Sequence, residues 1–285
     1  TNAEAMRHAR QHGGIAGYVH PVPIMNPLTP ETAGAVPTGF VADAVLGEID
    51  IIELACLWTD EIGTASLWHQ VLNIGVPLAA SAGSDVMNDY YRTMAIGATR
   101  IYAKVDGELT SESFLQAVRE GRSFTSNGPM IEFEVEGRGP GEAVDTSNDA
   151  VTWTATVHSP LPYERLDIIV NGQVVRTLDG TGAPGSNSYQ GSLPQSSGGW
   201  VTARVIGVNS GWPALDSYLY AETSPVWFGS VGSTDPDAAR ESAQTLLMLL
   251  DEAEENLKAG YGNAPIPNLL EHFGKARQKL ELLIN

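Results

Sequence analysis

The hydrophobic period changes twice along this chain, and no single sheet or bundle accommodates all three regimes. Up to about Pro129, short apolar runs alternate with helical patterns. From there to about residue 230, apolar residues recur every second position. The last 55 or so return to a helical stripe. Period two requires a strand with one buried face, whereas short fully apolar runs between helices require strands covered on both faces. The chain therefore divides into an α/β segment, 1–129, a β segment, 130–230, and a helical segment, 231–285.

In the first segment, Asn2 to His12 reads as a helix stopped by Gly13-Gly14. Strands follow at Ile15–Val19, Ile49–Leu54, Val76–Ala80 and Arg100–Val105. Helices are expected from Glu61 to Ile74, closed by Gly75, and from Ser111 to Glu120, with Thr110 as N-cap and Gly121 just past the end. This order predicts a mostly parallel sheet or barrel. In the second segment, Val151–Val157 alternates strictly, and Asn171-Gly172 between two apolar runs marks a hairpin. Further strands are expected at Trp200–Val208 and Ser217–Phe228, and a Gly/Ser-rich loop from Asp179 to Gly199. Together these predict an immunoglobulin-like β-sandwich. In the third, Asp235 and Pro236 open a helix carrying Ala239, Ala243, Leu246, Leu247, Leu250, Ala253 and Leu257 on one side. Gly260-Tyr261-Gly262 breaks it before a second helix, so an α-helical hairpin is expected.

The chemistry-bearing pattern is one of spacing. His20, Glu53 and Asp85 stand at or just after the ends of successive strands, 33 and 32 residues apart (20 to 53, 53 to 85). A βα unit takes ~30 residues, so each interval fits one turn of an α/β fold. The carboxyl ends of parallel strands gather on one face. An imidazole and two carboxylates meeting there suit Zn²⁺, Mn²⁺ or Fe²⁺, and a divalent ion lowers the pKa of its water to ~7. Each residue also has a plainer reading: a satisfied histidine in a His-Pro turn, an ion-paired glutamate, a capping aspartate. Arg92, Arg100 and Arg122 follow Asp85 and are candidates for holding an anionic substrate, or surface ion pairs.

Four stretches resemble one family. Gly-Gly-Ile-Ala-Gly-Tyr-Val-His-Pro (13–21), Ile-Asp-Ile-Ile-Glu (49–53), Ala-Gly-Ser-Asp (82–85) and Gly-Arg-Ser-Phe-Thr-Ser-Asn-Gly-Pro (121–129) are similar to the CehA/McbA-like branch of the PHP metallohydrolases, in the same order, over about residues 5–230. The resemblance implies a distorted βα barrel with two or three metals that hydrolyses phosphoesters, amides or carbamates. It implies ligand roles for His20 and Asp85, and less directly Glu53. Two departures stand out: no His-x-His strand is present, and Met87 occupies the position where many PHP proteins carry histidine. The expectation is the C-terminal part of a PHP-type hydrolase, using metal-bound hydroxide on a small-molecule substrate. By itself the chain would be inactive for want of an N-terminal segment. The competing expectation is a non-catalytic carbohydrate- or protein-binding protein with a degenerate PHP domain, using Trp153, Trp200, Trp212 and Trp227.

The rest bounds partners. A net charge of −18 disfavours nucleic acid. No apolar run approaches the ~20 residues of a membrane span. The single cysteine, Cys56, lies in an apolar run and reads as a buried thiol. The compartment is left open, with export or a periplasmic location favoured over the cytoplasm. His8 and His12 have the i, i+4 spacing of a helical metal pair but lack the Glu of His-Glu-x-x-His and read as a solvated helix face, and His69, His158 and His272 read as structural. Gly137-Arg138-Gly139-Pro140-Gly141 reads as a turn and not a phosphate loop.

Overall fold

The computed structural model describes residues 2–22, 36–56, 58–86, 95–145, 150–194, 198–208, 211, 214, 218–262 and 264–285. It is a mixed α/β chain with three sheets and a C-terminal pair of helices. In the first segment β1 (Gly17–Tyr18), β2 (Ile51–Ala55) and β3 (Ala79–Ala82) form a parallel sheet in that order. Helix α1 (Asn2–Gln11) precedes β1, α2 (Phe40–Val45) precedes β2, and α3 (Glu61–Asn73) crosses from β2 to β3. Gly17 is needed where β1 lies in register beside Ile51 of β2, since a Cβ there would stand 2.0 Å from the Ile51 carbonyl oxygen. Asp60 caps α3 by accepting from the Gly63 N–H at 3.0 Å, and Gly75 leaves it at φ +80°.

The fourth strand corrects one expectation. β4 (Arg100–Ala103) does not extend the parallel sheet. It pairs antiparallel with β5 (Ser123–Ser126), which follows α4 (Ser111–Arg119). The Gly121 turn at φ +69° brings the chain straight back beside β4, with the Lys104 N–H donating to the Arg122 carbonyl. The described residues form no closed barrel.

β4 and β5 belong to the largest sheet, of order β10-β9-β12-β13-β5-β4, where β9 is Arg165–Val170, β10 Gln173–Asp179, β12 Trp200–Gly207 and β13 Leu219–Thr223. β14 (Val226–Phe228) joins β12 and pairs with β7 (Ala143–Val144). A third sheet, β11-β8-β6, is built from β6 (Met130–Val135), β8 (Ala150–Ser159) and β11 (Gly185–Pro194). The expected boundary at 129/130 falls at the Asn127-Gly128-Pro129 turn, where the Asn127 side chain clamps β13 through Tyr218 and Tyr220.

The large sheet is the middle layer. One face meets the third sheet in a sandwich-like core that includes Phe133, Trp153, Val157, Ile168, Val205 and Phe228. The other face turns Ile169, Trp200, Tyr220 and Trp227 toward α3 and α5 (Pro236–Tyr261) in a second core. This explains the two strand signatures. β8 and β6, covered on one side, alternate exposed and buried residues; β12 is buried along nearly its whole length.

The hairpin expected at Asn171-Gly172 forms, with φ +50° and +83°, as a type I′ turn requires. Two strand assignments change. Residues 179–199, read as a loop, contain the ten-residue β11 paired along β8; its Ser, Asn and Gln residues suit an edge strand with one wet face. Residues 217–228, read as one strand, are β13 and β14, broken at Ser224-Pro225. Helices α5 and α6 (Pro267–Ile284) pack on their own chain. Leu246, Leu250, Phe273, Ala276 and Leu280 join the core of α2 and α3, and His272 Nε2 meets Asp43 Oδ1 at 2.6 Å. No described helix is long and apolar enough to cross a membrane.

Candidate metal centre

The parallel sheet delivers three of the predicted residues to one place. His20 follows β1, Glu53 lies within β2 and Asp85 follows β3. His20 Nδ1 is 3.2 Å from Glu53 Oε2, which also accepts from the His20 backbone N–H at 3.0 Å. Asp85 Oδ2 is 3.7 Å from the other ring nitrogen, Nε2. Both end residues take left-handed backbone, His20 at φ +50° and Asp85 at φ +46°, which non-glycine residues seldom adopt outside turns and functional sites. Ser84, next to Asp85, is held by a bond to the Thr99 carbonyl at 3.1 Å and another from the Gly97 N–H at 2.9 Å.

A fourth residue joins them. Cys56 Sγ lies 3.6 Å from His20 Nδ1. His20, Glu53 and Cys56 bring one donor atom each within 4.8 Å of one another, and this buried to half-buried group could hold a metal ion. Burial pushes the Glu53 carboxyl above the ordinary carboxylate range, against the pull of the His20 N–H and ring. Burial pushes the Cys56 thiol up to about 12, and the charges of Glu53 and Asp85 act in the same direction. Both shifts disfavour accumulating negative charge there, which a cation would reverse.

Val19, Trp58 and Val86, each one or two residues from a cluster member, are exposed. Asp50, three residues before Glu53, anchors the base of β2: it accepts from the Ala16 N–H at 3.0 Å and lies 3.3 Å and 3.5 Å from Arg10 and Arg119.

The three arginines fare differently. Arg92 and Met87 lie outside the described residues. Arg100 begins β4, next to Thr99. Its Nε is buried with no hydrogen-bond partner among the described residues, and its guanidinium carbon stands 5.7 Å from the centre of the Tyr102 ring. Arg122 sits at the other end of the β4–β5 pair, bound to Asp106 at 2.5 Å. It lines a separate cavity of about 320 Å³ with Tyr102, Phe124, Phe133 and Pro140. Three of the tryptophans proposed as a binding surface, Trp153, Trp200 and Trp227, are buried core residues; Trp212 lies outside the described residues. His69 and His272 are buried against carboxylates, and His158 is near Glu132 on the surface.

Comparison with known proteins leaves this geometry as the main guide. No protein-family model and no curated protein matches the chain. A solved structure of a Jonesia denitrificans lytic polysaccharide monooxygenase aligns with 56% of this chain and 94% of its own length, at 15% identity and a TM-score of 0.24, too low to assign a fold or a function.

Proposed function

We propose that this chain carries part of the metal centre of a hydrolase acting on a phosphoester, amide or carbamate, within a PHP-type architecture. The observation that carries the reading is the convergence of His20 and Glu53, with Asp85 beside them, at the ends of three successive parallel strands. Zn²⁺, Mn²⁺ and Fe²⁺ are the ions such donors suit. When bound, a divalent ion acidifies its water and supplies hydroxide near neutral pH.

The chain's own residues divide the remaining work. Glu53 and His20 hold the centre. β1 has β2 on one side and, among the described residues, no strand on the other. A further parallel strand from an N-terminal segment of the same protein fits that edge and would bring the additional histidines that a two-metal centre uses.

The test compares the 285 residues with the full reading frame on aryl phosphates, aryl carbamates and anilides, with added Mn²⁺ or Zn²⁺. The expected result is metal-dependent turnover of one class by the full reading frame, abolished by His20→Ala and absent from the 285 residues alone. Metal-dependent turnover by the 285 residues alone would remove the need for a further segment. No turnover of any class by the metal-loaded full-length protein would overturn the hydrolase assignment.

A further inference from the structure

We infer that Cys56 is itself a metal ligand, that the centre therefore selects zinc-like ions over manganese, and that Asp85 orients His20 through the opposite ring nitrogen. This rests on the reading of the cluster as a metal site and extends it to ion selectivity.

Three geometric facts support it. Glu53 Oε2 and Cys56 Sγ both approach the same atom, His20 Nδ1, at 3.2 Å and 3.6 Å. Nδ1, Oε2 and Sγ, one donor atom from each residue, thus all lie within 4.8 Å of one another, where one cation can reach all three. The two distances at Nδ1 also fit. Metal–sulfur bonds of ~2.3 Å and metal–nitrogen or metal–oxygen bonds of ~2.0–2.2 Å in a tetrahedron give edges of about 3.6 Å for N···S and about 3.3 Å for N···O. Finally, Asp85 Oδ2 lies 3.7 Å from Nε2, on the far side of the ring. With Nδ1 on the metal, Nε2 carries the hydrogen and faces a carboxylate, the usual way a ligand histidine is held in one tautomer and orientation.

A thiolate in the donor set changes which ion is preferred. Soft sulfur favours Zn²⁺ and Co²⁺, whereas Mn²⁺ and Mg²⁺ prefer oxygen. Ligand replacement at sulfur should therefore cost zinc affinity much more than manganese affinity. Asp85→Asn keeps a polar group at Nε2 but removes the charge, and should weaken metal binding by about 10–100-fold without removing sulfur from the metal.

The experiment is a titration of the metal-free 285-residue chain with Co²⁺, followed by absorption, then by competition with Zn²⁺ and with Mn²⁺. Because the chain has one cysteine, a thiolate-to-cobalt charge-transfer band in the near ultraviolet reports Cys56 without any substitution. The expected result is that band, rising with the visible cobalt bands to saturation, bleached by stoichiometric Zn²⁺ and unaffected by equal Mn²⁺. In Cys56→Ser the band is lost while the visible cobalt bands persist at higher Co²⁺. Cobalt binding in the wild type with no charge-transfer band would overturn the ligand role of Cys56 and leave the metal-site reading standing. Manganese displacing cobalt as readily as zinc would overturn the selectivity. Absence of cobalt, zinc or manganese binding by equilibrium dialysis would overturn both this inference and the metal-site reading beneath it.

Discussion

At the scale of single residues, the centre is assembled from backbone that its residues would not choose. An L-residue in the left-handed region costs roughly 1–2 kcal/mol, and His20 and Asp85 both sit there. Glycine avoids that cost but loses more entropy on folding. Asp85→Gly should therefore leave the metal-free chain as stable as the wild type or up to about 1 kcal/mol more stable, while weakening metal binding. Urea unfolding in the presence of a chelator measures the first effect and dialysis the second; a loss of stability beyond about 1 kcal/mol would show that Asp85 is structural. His20, Glu53 and Asp85 were legible in the sequence because strand ends gather on one face. Cys56 was not. In a regular strand, positions 53 and 56 face opposite sides. The pairing of β2 with β3 shifts register between Glu53 and Ala55, and past that irregularity Cys56 comes round to the side of His20. Nothing in Ile-Ile-Glu-Leu-Ala-Cys reveals such a shift, so the thiol reads as core.

At the scale of elements, α3 is tied to the middle sheet by a fully buried polar link. His69 Nε2 lies 2.8 Å from Glu222 Oε1 on β13, and Tyr220 donates to the other carboxylate oxygen at 2.5 Å. Burial raises the Glu222 carboxyl, but His69, Arg204 and Tyr220 outweigh it and hold the group below its ordinary value of 4.5. The sign follows from that depression. The stabilisation is complete above the unfolded value and is lost as pH falls through the lower folded value. Below about pH 4.5 the wild type should lose stability more steeply than Glu222→Gln, whose neutral-pH stability is lower. His69→Ala should cost about 3 kcal/mol at neutral pH, as expected for breaking a buried pair. Parallel pH–stability curves for wild type and Glu222→Gln would contradict this. Sequence alone marked His69 as structural but offered no partner, since Glu222 is 153 positions away and sits in a strand that reads as ordinary core. Helix caps and the Asn-Gly turn were legible because their signals are local. β11 and the antiparallel turn of β4 were not, since each is decided by the strand it meets.

At the scale of the whole molecule, the three periodic regimes of the sequence correspond to distinct layers, but they do not divide at the segment boundaries. The middle sheet draws β4 and β5 from the first segment, and its outer face is covered by helices from the first and third. That sharing makes the parallel sheet, and with it the candidate cation site, part of one continuous structure. If the proposal holds, this site binds a divalent ion through His20. The most direct test is equilibrium dialysis of the 285-residue chain against Zn²⁺, with metal content read by elemental analysis and folding by circular dichroism, alongside His20→Ala. The wild type should retain close to one equivalent of zinc and His20→Ala little, at an unchanged spectrum. No zinc in a folded wild type, or equal zinc in both proteins, would contradict it.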